Sequence, residues 1–149
     1  MEFRGMPVLG LGHPGSDLRR RLVALVMEGT KTATAGLLAE YELDGEAIPM
    51  PGVREAIVDV DGRFVGEIET TECRVLRMVD VDDAFARDEG EGFTDASDWR
   101  VAHEAFWNGY IDSLRVRLSD PDWSLTDDTR VLCQRFRVAE RYPEPVVAQ

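Results

Sequence analysis

Apolar residues recur at helical spacing in "DLRRRLVALVME", where Leu18, Leu22, Leu25 and Val26 share one face. The spacing predicts a helix from Asp17 to Glu28, with Ser16 or Asp17 as N-cap and Gly29 just past the end. Leu37–Tyr41 can form a short second helix. "DGEAIPMPG" holds two prolines and two glycines and is read as a loop. The pattern then changes to strands. "EAIVDV" and "RFVGEIETT" flank Asp61–Gly62, the clearest hairpin signal in the chain. "CRVLRMV" reads as a third strand. A short helix from Asp82 runs into the acidic, glycine-broken "DEGEG". "ASDWRVAHEAFWNGYIDSLRVRL" reads as one long helix capped by Ser97 or Asp98, with Gly109 as a break or bend. Its buried face takes Trp99, Ala102, Phe106, Tyr110 and Leu114. "SDPDWSLTDDT" is a loop. "RVLCQRFRVAERY" alternates as a closing strand, Val131, Cys133 and Arg135 against Leu132, Gln134 and Phe136.

The order of helix, antiparallel strands, helices and a last strand predicts an α+β fold. A doubly wound sheet is excluded by the many short antiparallel strands and by the lack of a Gly-rich phosphate loop after a strand. A small barrel or strongly bent sheet with helices packed on it fits better. At 149 residues the chain is expected to form a single domain, 1–149, with its core at about 17–140. The termini, including the tail after Pro143, are expected to be loose.

Charge changes the picture of partners. With 17 basic and 29 acidic residues the net charge is −12, which opposes a polyanion that binds by phosphate neutralisation. The one dense basic cluster, Arg19–Arg21, reads as a solvated helix face. These features favour a small or locally recognised ligand over a long nucleic acid, with RNA binding weak at most. No apolar run approaches the roughly 20 residues of a bilayer span, and no secretory signal is legible, so no membrane partner is expected. Cys73 and Cys133 lie far apart and read as free thiols of a reducing, cytoplasmic compartment. His13 and His103 are the two histidines, and no carboxylate cluster completes a ligand set with them, so neither a metal nor another cofactor is expected.

Three stretches carry candidate chemistry. "EGTKTATAG" sets Lys31, Thr32 and Thr34 among small residues at a helix end. A threonine hydroxyl needs a nearby base to act as a nucleophile, and a Lys-x-x-Thr spacing puts both groups on one side of a helical turn or in a tight bend. Ala33, Ala35 and Gly36 leave room for a ligand. The plain alternative is a polar helix end. "RDEGEGF" offers Glu89 and Glu91 as cleft carboxylates, or as an acidic surface loop. "DWRVAHEAFW" puts Arg100 and His103 three apart on a helix, where Arg100 can pair with Glu89 or Glu91 and His103 can bind a ligand or serve structure.

Taken in order, "GTKTATAGLLAEY", "IPMPG", "DVDGRFVGEIETTECRV", "FARDEGEG", "DWRVAHEAFW" and "TRVLCQRFRV" resemble the ASCH domain family. The resemblance covers about Gly29–Val138 and implies a PUA-like small β-barrel of mostly antiparallel strands with packed helices. It implies a cleft that brings the lysine near the acidic loop. Some members look like hydrolases that remove an acyl group from N4-acylated cytidine. Carried over by position, the catalytic set is Lys31, Thr34 and Glu89, with Glu91 as the rival carboxylate. Thr32, Tyr41, Glu91, Arg100 and His103 are then the expected contacts to a modified nucleoside or base. Val53, Phe93 and Gln134 depart from residues common in the family, Gln134 from a frequent Glu. The resemblance also leaves open a non-catalytic RNA- or nucleotide-binding module and a ribonuclease. Thr34→Val and Thr34→Ser separate catalysis from binding.

Overall fold

The computed structural model describes residues 2–148. In chain order the elements are β1 (Glu2–Phe3), β2 (Met6–Pro7), α1 (Asp17–Met27), β3 (Ala33–Leu37), α2 (Leu38–Asp44), β4 (Arg54–Val58), β5 (Arg63–Arg77), a 3-10 turn (Met78–Asp80), α3 (Asp83–Asp88), α4 (Ala96–Asn108), α5 (Ile111–Leu118) and β6 (Arg130–Val147). The architecture is α+β, as expected, and the paired strands are antiparallel, beside one isolated parallel bridge between Val8 and Ala56. The main sheet runs β3-β6-β5-β4. It is open: β3 and β4 are its edges and do not pair with each other among the described residues. The ladder hydrogen bonds therefore do not close the barrel that the resemblance implies.

Local signals set most of the elements. Ser16 caps α1 by accepting from the Arg19 amide, and Gly29 ends it with a left-handed φ of 85°. Asp59 turns the β4–β5 hairpin by accepting from the Asp61 and Arg63 amides, with Gly62 at φ 80°. Asp82 caps α3 at the Phe85 amide. The cap of α4 is Asp95, not Ser97 or Asp98; its carboxylate accepts from the Asp98 amide. The long helix is broken at Gly109–Tyr110 into α4 and α5.

Three expectations are corrected. The second and third strands are one 15-residue strand, β5, bent by register shifts, one of them between Thr70 and Glu72. The C-terminal tail is not loose: β6 pairs with β5 out to Val147. The N-terminus is held too, because Phe3 stacks on Phe64 with ring centres 3.8 Å apart. The reason is shared: Phe3, Tyr142 and Val146 pack around the fully buried Phe64.

Two larger apolar clusters flank the sheet. One joins α3, α4 and α5 to β3 and β6 through Trp99, Trp107, Phe85, Leu114, Ala33 and Cys133. The other packs α1 onto the sheet through Leu22, Val26, Ile57, Ile68 and Phe136, with Leu9 and Leu11. The alternation of β6 is as expected. Val131 and Cys133 enter the first cluster, while Leu132 and Gln134 line a cavity. The basic run of α1 is not one solvated face. Arg20 is exposed, but Arg19 is buried and donates to the carbonyls of Gly12 and Val58. Burial lowers its pKa.

Candidate active site

The bend after α1 carries the lysine inward. The Thr30 and Lys31 amides both donate to Leu25 O, at 3.0 Å, which turns the chain back before β3 starts. Lys31 thus lies in a tight bend and Thr34 on a strand; they do not share a helical turn. Lys31 is 1% exposed. Its Nζ donates to Glu91 Oε2 at 2.8 Å and to the Glu89 carbonyl at 3.3 Å, and lies 4.0 Å from Glu89 Oε1.

The acidic loop is clamped against this bend. Gly90 has φ +68°, and a Cβ there would lie 2.3 Å from Thr30 O and 2.7 Å from Lys31 Cα. Only glycine permits both that backbone angle and that approach. Arg21 donates to the Glu91 carbonyl at 2.8 Å, and the Thr32 amide donates to the Asp88 carbonyl at 3.0 Å. The third arginine of the basic run therefore grips the loop that carries the carboxylates.

Glu89 is fully buried. His103 Nε2 lies 3.2 Å from its Oε2. His103 Nδ1 lies 2.9 Å from the Trp99 carbonyl, which can only accept, so Nδ1 carries a proton. Trp99 stacks on the imidazole at 4.3 Å and fixes its plane. Neither Glu89 oxygen has an aligned hydrogen bond.

These groups open on a cavity of about 490 Å³, within the range of small-molecule sites. Lys31, Thr34, Glu89, Glu91, Tyr41 and His103 all line it. The structure thus gathers six of the residues singled out in the sequence. The other two lie elsewhere. Thr32 is exposed and its hydroxyl donates to the Asp88 carbonyl. Arg100 pairs with Glu104 and with Asp127, and not with Glu89 or Glu91. One helical turn separates Arg100 from Glu104, so the local partner wins over the distant loop.

Of the small residues near Thr34, Ala35 and Gly36 line the cavity, as expected, and Ala33 does not. Ala33 is fully buried in the tryptophan cluster. Gly36 lies beneath the Tyr41 ring, whose Cε2 would be 3.0 Å from a Cβ there. Burial, and after it the charge of Glu55, raise the pKa of Tyr41 and keep its phenol neutral. Phe106 is half-buried and lines the cavity, where the sequence placed it in the core.

Sequence reasoning missed Glu55, and it flagged Gln134 only as a family departure. Both are buried and line the cavity. Gln134 Nε2 donates to Glu55 Oε2 at 2.5 Å and to Thr70 Oγ1 at 2.9 Å. The Glu55 carboxyl is pushed above the ordinary carboxylate range by burial, with the Gln134 bond opposing. Gln134 stands opposite Thr34 in the β3–β6 ladder, so the alternation of β6 held the signal once β3 was known. His13 was considered only as a metal ligand. It stacks on Phe106 at 5.0 Å at the cavity edge. Among the described residues no group of three or more His, Cys, Asp or Glu is arranged to hold a metal ion, and no helix is long and apolar enough to cross a membrane. Both thiols are free; burial raises Cys133 to about 12 and Cys73 to about 11.

With this geometry in view, the chain belongs to the ASCH domain family, which matches it over residues 12–140. A crystal structure of a protein from Enterococcus faecalis V583 is similar over 96% of this chain and 82% of that one, at 26% identity and a TM-score of 0.79. The crystal structure of an ASCH domain from Lactobacillus crispatus JV V101 covers 81% of this chain and 72% of its own, at 24% identity and a TM-score of 0.66, and shows the shared fold. No curated protein matches the sequence.

Proposed function

We propose that the cavity is the active site of an amidohydrolase acting on an acylated nucleoside such as N4-acetylcytidine. The observation that carries this reading is the convergence of a buried lysine, two carboxylates and a strand-borne threonine on one small-molecule cavity. In the reaction the Thr34 hydroxyl attacks the acyl carbonyl. Its proton passes to Lys31 Nζ as a lysine proton moves to Glu91 along the 2.8 Å contact. The C–N bond then breaks, and a proton from Lys31 goes to the leaving amine. Water next attacks the acyl-threonine carbonyl and gives a proton to Glu89. The ester C–O bond breaks, the acid leaves, the proton held by Glu91 returns through Lys31 to Thr34 Oγ, and Lys31 recovers its own from Glu89. The Lys31 and Thr32 amides already donate to Leu25 O and Asp88 O, so neither is free to serve the oxyanion.

The cavity's charge favours a nucleoside over an RNA strand. Glu40, Asp44, Glu46, Glu55, Glu89 and Glu91 border it, against Lys31 and Arg21. A polyanion would meet repulsion there, so RNA binding by this site is weak and falls steeply with salt.

The test is hydrolysis of N4-acetylcytidine followed by mass spectrometry. Thr34→Val keeps the shape and removes the hydroxyl. It should lower turnover on the order of 10³-fold or more and leave ligand affinity within about tenfold, while Thr34→Ser keeps part of the rate. A Thr34→Val protein that hydrolyses at the parent rate overturns the mechanism. Tight binding of unmodified RNA at physiological salt overturns the substrate class.

A further inference from the structure

One residue lining the cavity holds an acceptor that the proposed chemistry does not use. Gln134 is 1% exposed, and its Oε1 is buried without a hydrogen-bond partner. Turning the amide would set Oε1 against the ionised Glu55 carboxylate, which can only accept. Nε2 faces a carboxylate, Glu55 Oε2 at 2.5 Å, and a hydroxyl, Thr70 Oγ1 at 2.9 Å, and both accept from it. The orphan is therefore a carbonyl-type acceptor held in one orientation. An unmet buried acceptor is costly, and a ligand that brings a donor recovers that cost.

The neighbours define which donor. Gln134 is the direct cross-strand partner of Thr34, and such side chains stand about 4.5–5.5 Å apart at Cβ. An N–H that reaches Gln134 Oε1 thus belongs to the part of the ligand beside Thr34, where the scissile amide must sit. Around it, Tyr41, His13 and Phe106 offer flat aromatic surface. The carboxylate of Glu55 beside Gln134 disfavours a ligand phosphate there.

We propose that Gln134 is a specificity residue whose Oε1 accepts the N–H carried by the exocyclic nitrogen of a nucleobase, so that the site takes secondary amides of base amines and disfavours ligands lacking that N–H. This rests on the amidohydrolase reading for the identity of the amine, and its test does not require turnover.

Calorimetric binding to the wild-type protein compares cytidine with the nucleoside that has hydrogen in place of the 4-amino group. The amino compound should bind roughly tenfold tighter. Gln134→Met, close in volume but without the acceptor, should abolish that preference. Gln134→Glu, which keeps an acceptor at the same reach, should retain it. Equal affinity of the wild type for the two nucleosides, or no measurable binding of either, overturns the proposal whatever the variants do. So does a preference that survives in Gln134→Met. Absence of N4-acetylcytidine hydrolysis alongside an intact amino preference would defeat the amidohydrolase reading and leave Gln134 as the reader of a base amine in a binding site.

Discussion

Glu67 and Glu89 are both buried carboxylates, 7% and 0% exposed, and they are built in opposite ways. Glu67, on β5, is saturated. Its Oε1 accepts from Arg54 at 3.2 Å and its Oε2 from the Tyr142 hydroxyl at 2.6 Å. The Tyr142 bond foremost, with Arg54, holds its carboxyl below the ordinary range despite burial. Glu89 has Lys31 at 4.0 Å and His103 at 3.2 Å, and neither makes an aligned hydrogen bond. Saturation, not burial, separates the two: Glu67 is fully hydrogen-bonded and Glu89 is not. A satisfied charge stabilises its own surroundings, while an unsatisfied one persists only where the rest of the fold imposes it.

The largest effect that could break this contrast is at Glu89. Glu89→Gln should lower hydrolysis of N4-acetylcytidine by about 10²–10⁴-fold, as loss of a general acid–base group does. The melting temperature should stay nearly level, because Lys31 keeps its 2.8 Å pair with Glu91. An active Glu89→Gln enzyme with a lowered melting temperature would make Glu89 a structural residue like Glu67.

Gly90 comes next. Gly90→Ala must adopt a left-handed φ and push against the Thr30 backbone at 2.3 Å. Together these should cost about 2–4 kcal/mol, measured by urea denaturation. The loss should appear as an undocked acidic loop, with proteolysis near Glu91 and loss of activity. Full stability in Gly90→Ala would mean that the loop clamps less tightly than its contacts indicate.

Glu67→Gln sharpens the other arm. It should cost about 1–3 kcal/mol at pH 7 and leave kcat near the parent value. The sign of its pH dependence follows from the lowered pKa. The unfolded state binds more protons in the window between the folded and the ordinary pKa, so stability rises with pH there. Glu67 contributes fully above the ordinary carboxylate range, and its contribution is lost as pH falls through the folded pKa. Parent and Glu67→Gln stabilities should therefore converge in acid, which a denaturation series across pH would register.

The smallest effects belong to the two residues that the fold leaves outside the cavity. Thr32→Val and Arg100→Gln should change hydrolysis by no more than about twofold, and stability by about 0.5 kcal/mol or less. A large drop in kcat for either would mean that the cavity reaches further during catalysis than it does here.

Much of this was legible beforehand because it depends on short stretches of chain. The cap at Ser16, the stop at Gly29, the Asp61–Gly62 hairpin, the Asp82 helix and the alternation of β6 each need only a few neighbouring residues. Lys31, Thr34 and the acidic glutamates were found as candidates by their order along the chain. Arg100 was misplaced because sequence offered it two kinds of partner, and Glu104, one turn away, outcompetes a loop on another element. Arg19 was misread because a charged residue on a helix is normally solvated, and only the Gly12 and Val58 carbonyls above it explain its burial.

The sequence by itself determined α1, the β4–β5 hairpin, the α3 cap, the alternation of β6 and the set of polar groups available for chemistry, since these follow from backbone preferences and local spacing. Tertiary structure alone decided which of those groups are buried, which are saturated and which face one another. Gln134 meets Thr34 through a ladder between strands about a hundred residues apart, and Glu55 meets Gln134 across the same sheet. Lys31 reaches Glu91 only because Gly90 lets two backbones touch. Desolvation and hydrogen-bond saturation are properties of such contacts, and no stretch of sequence contains them.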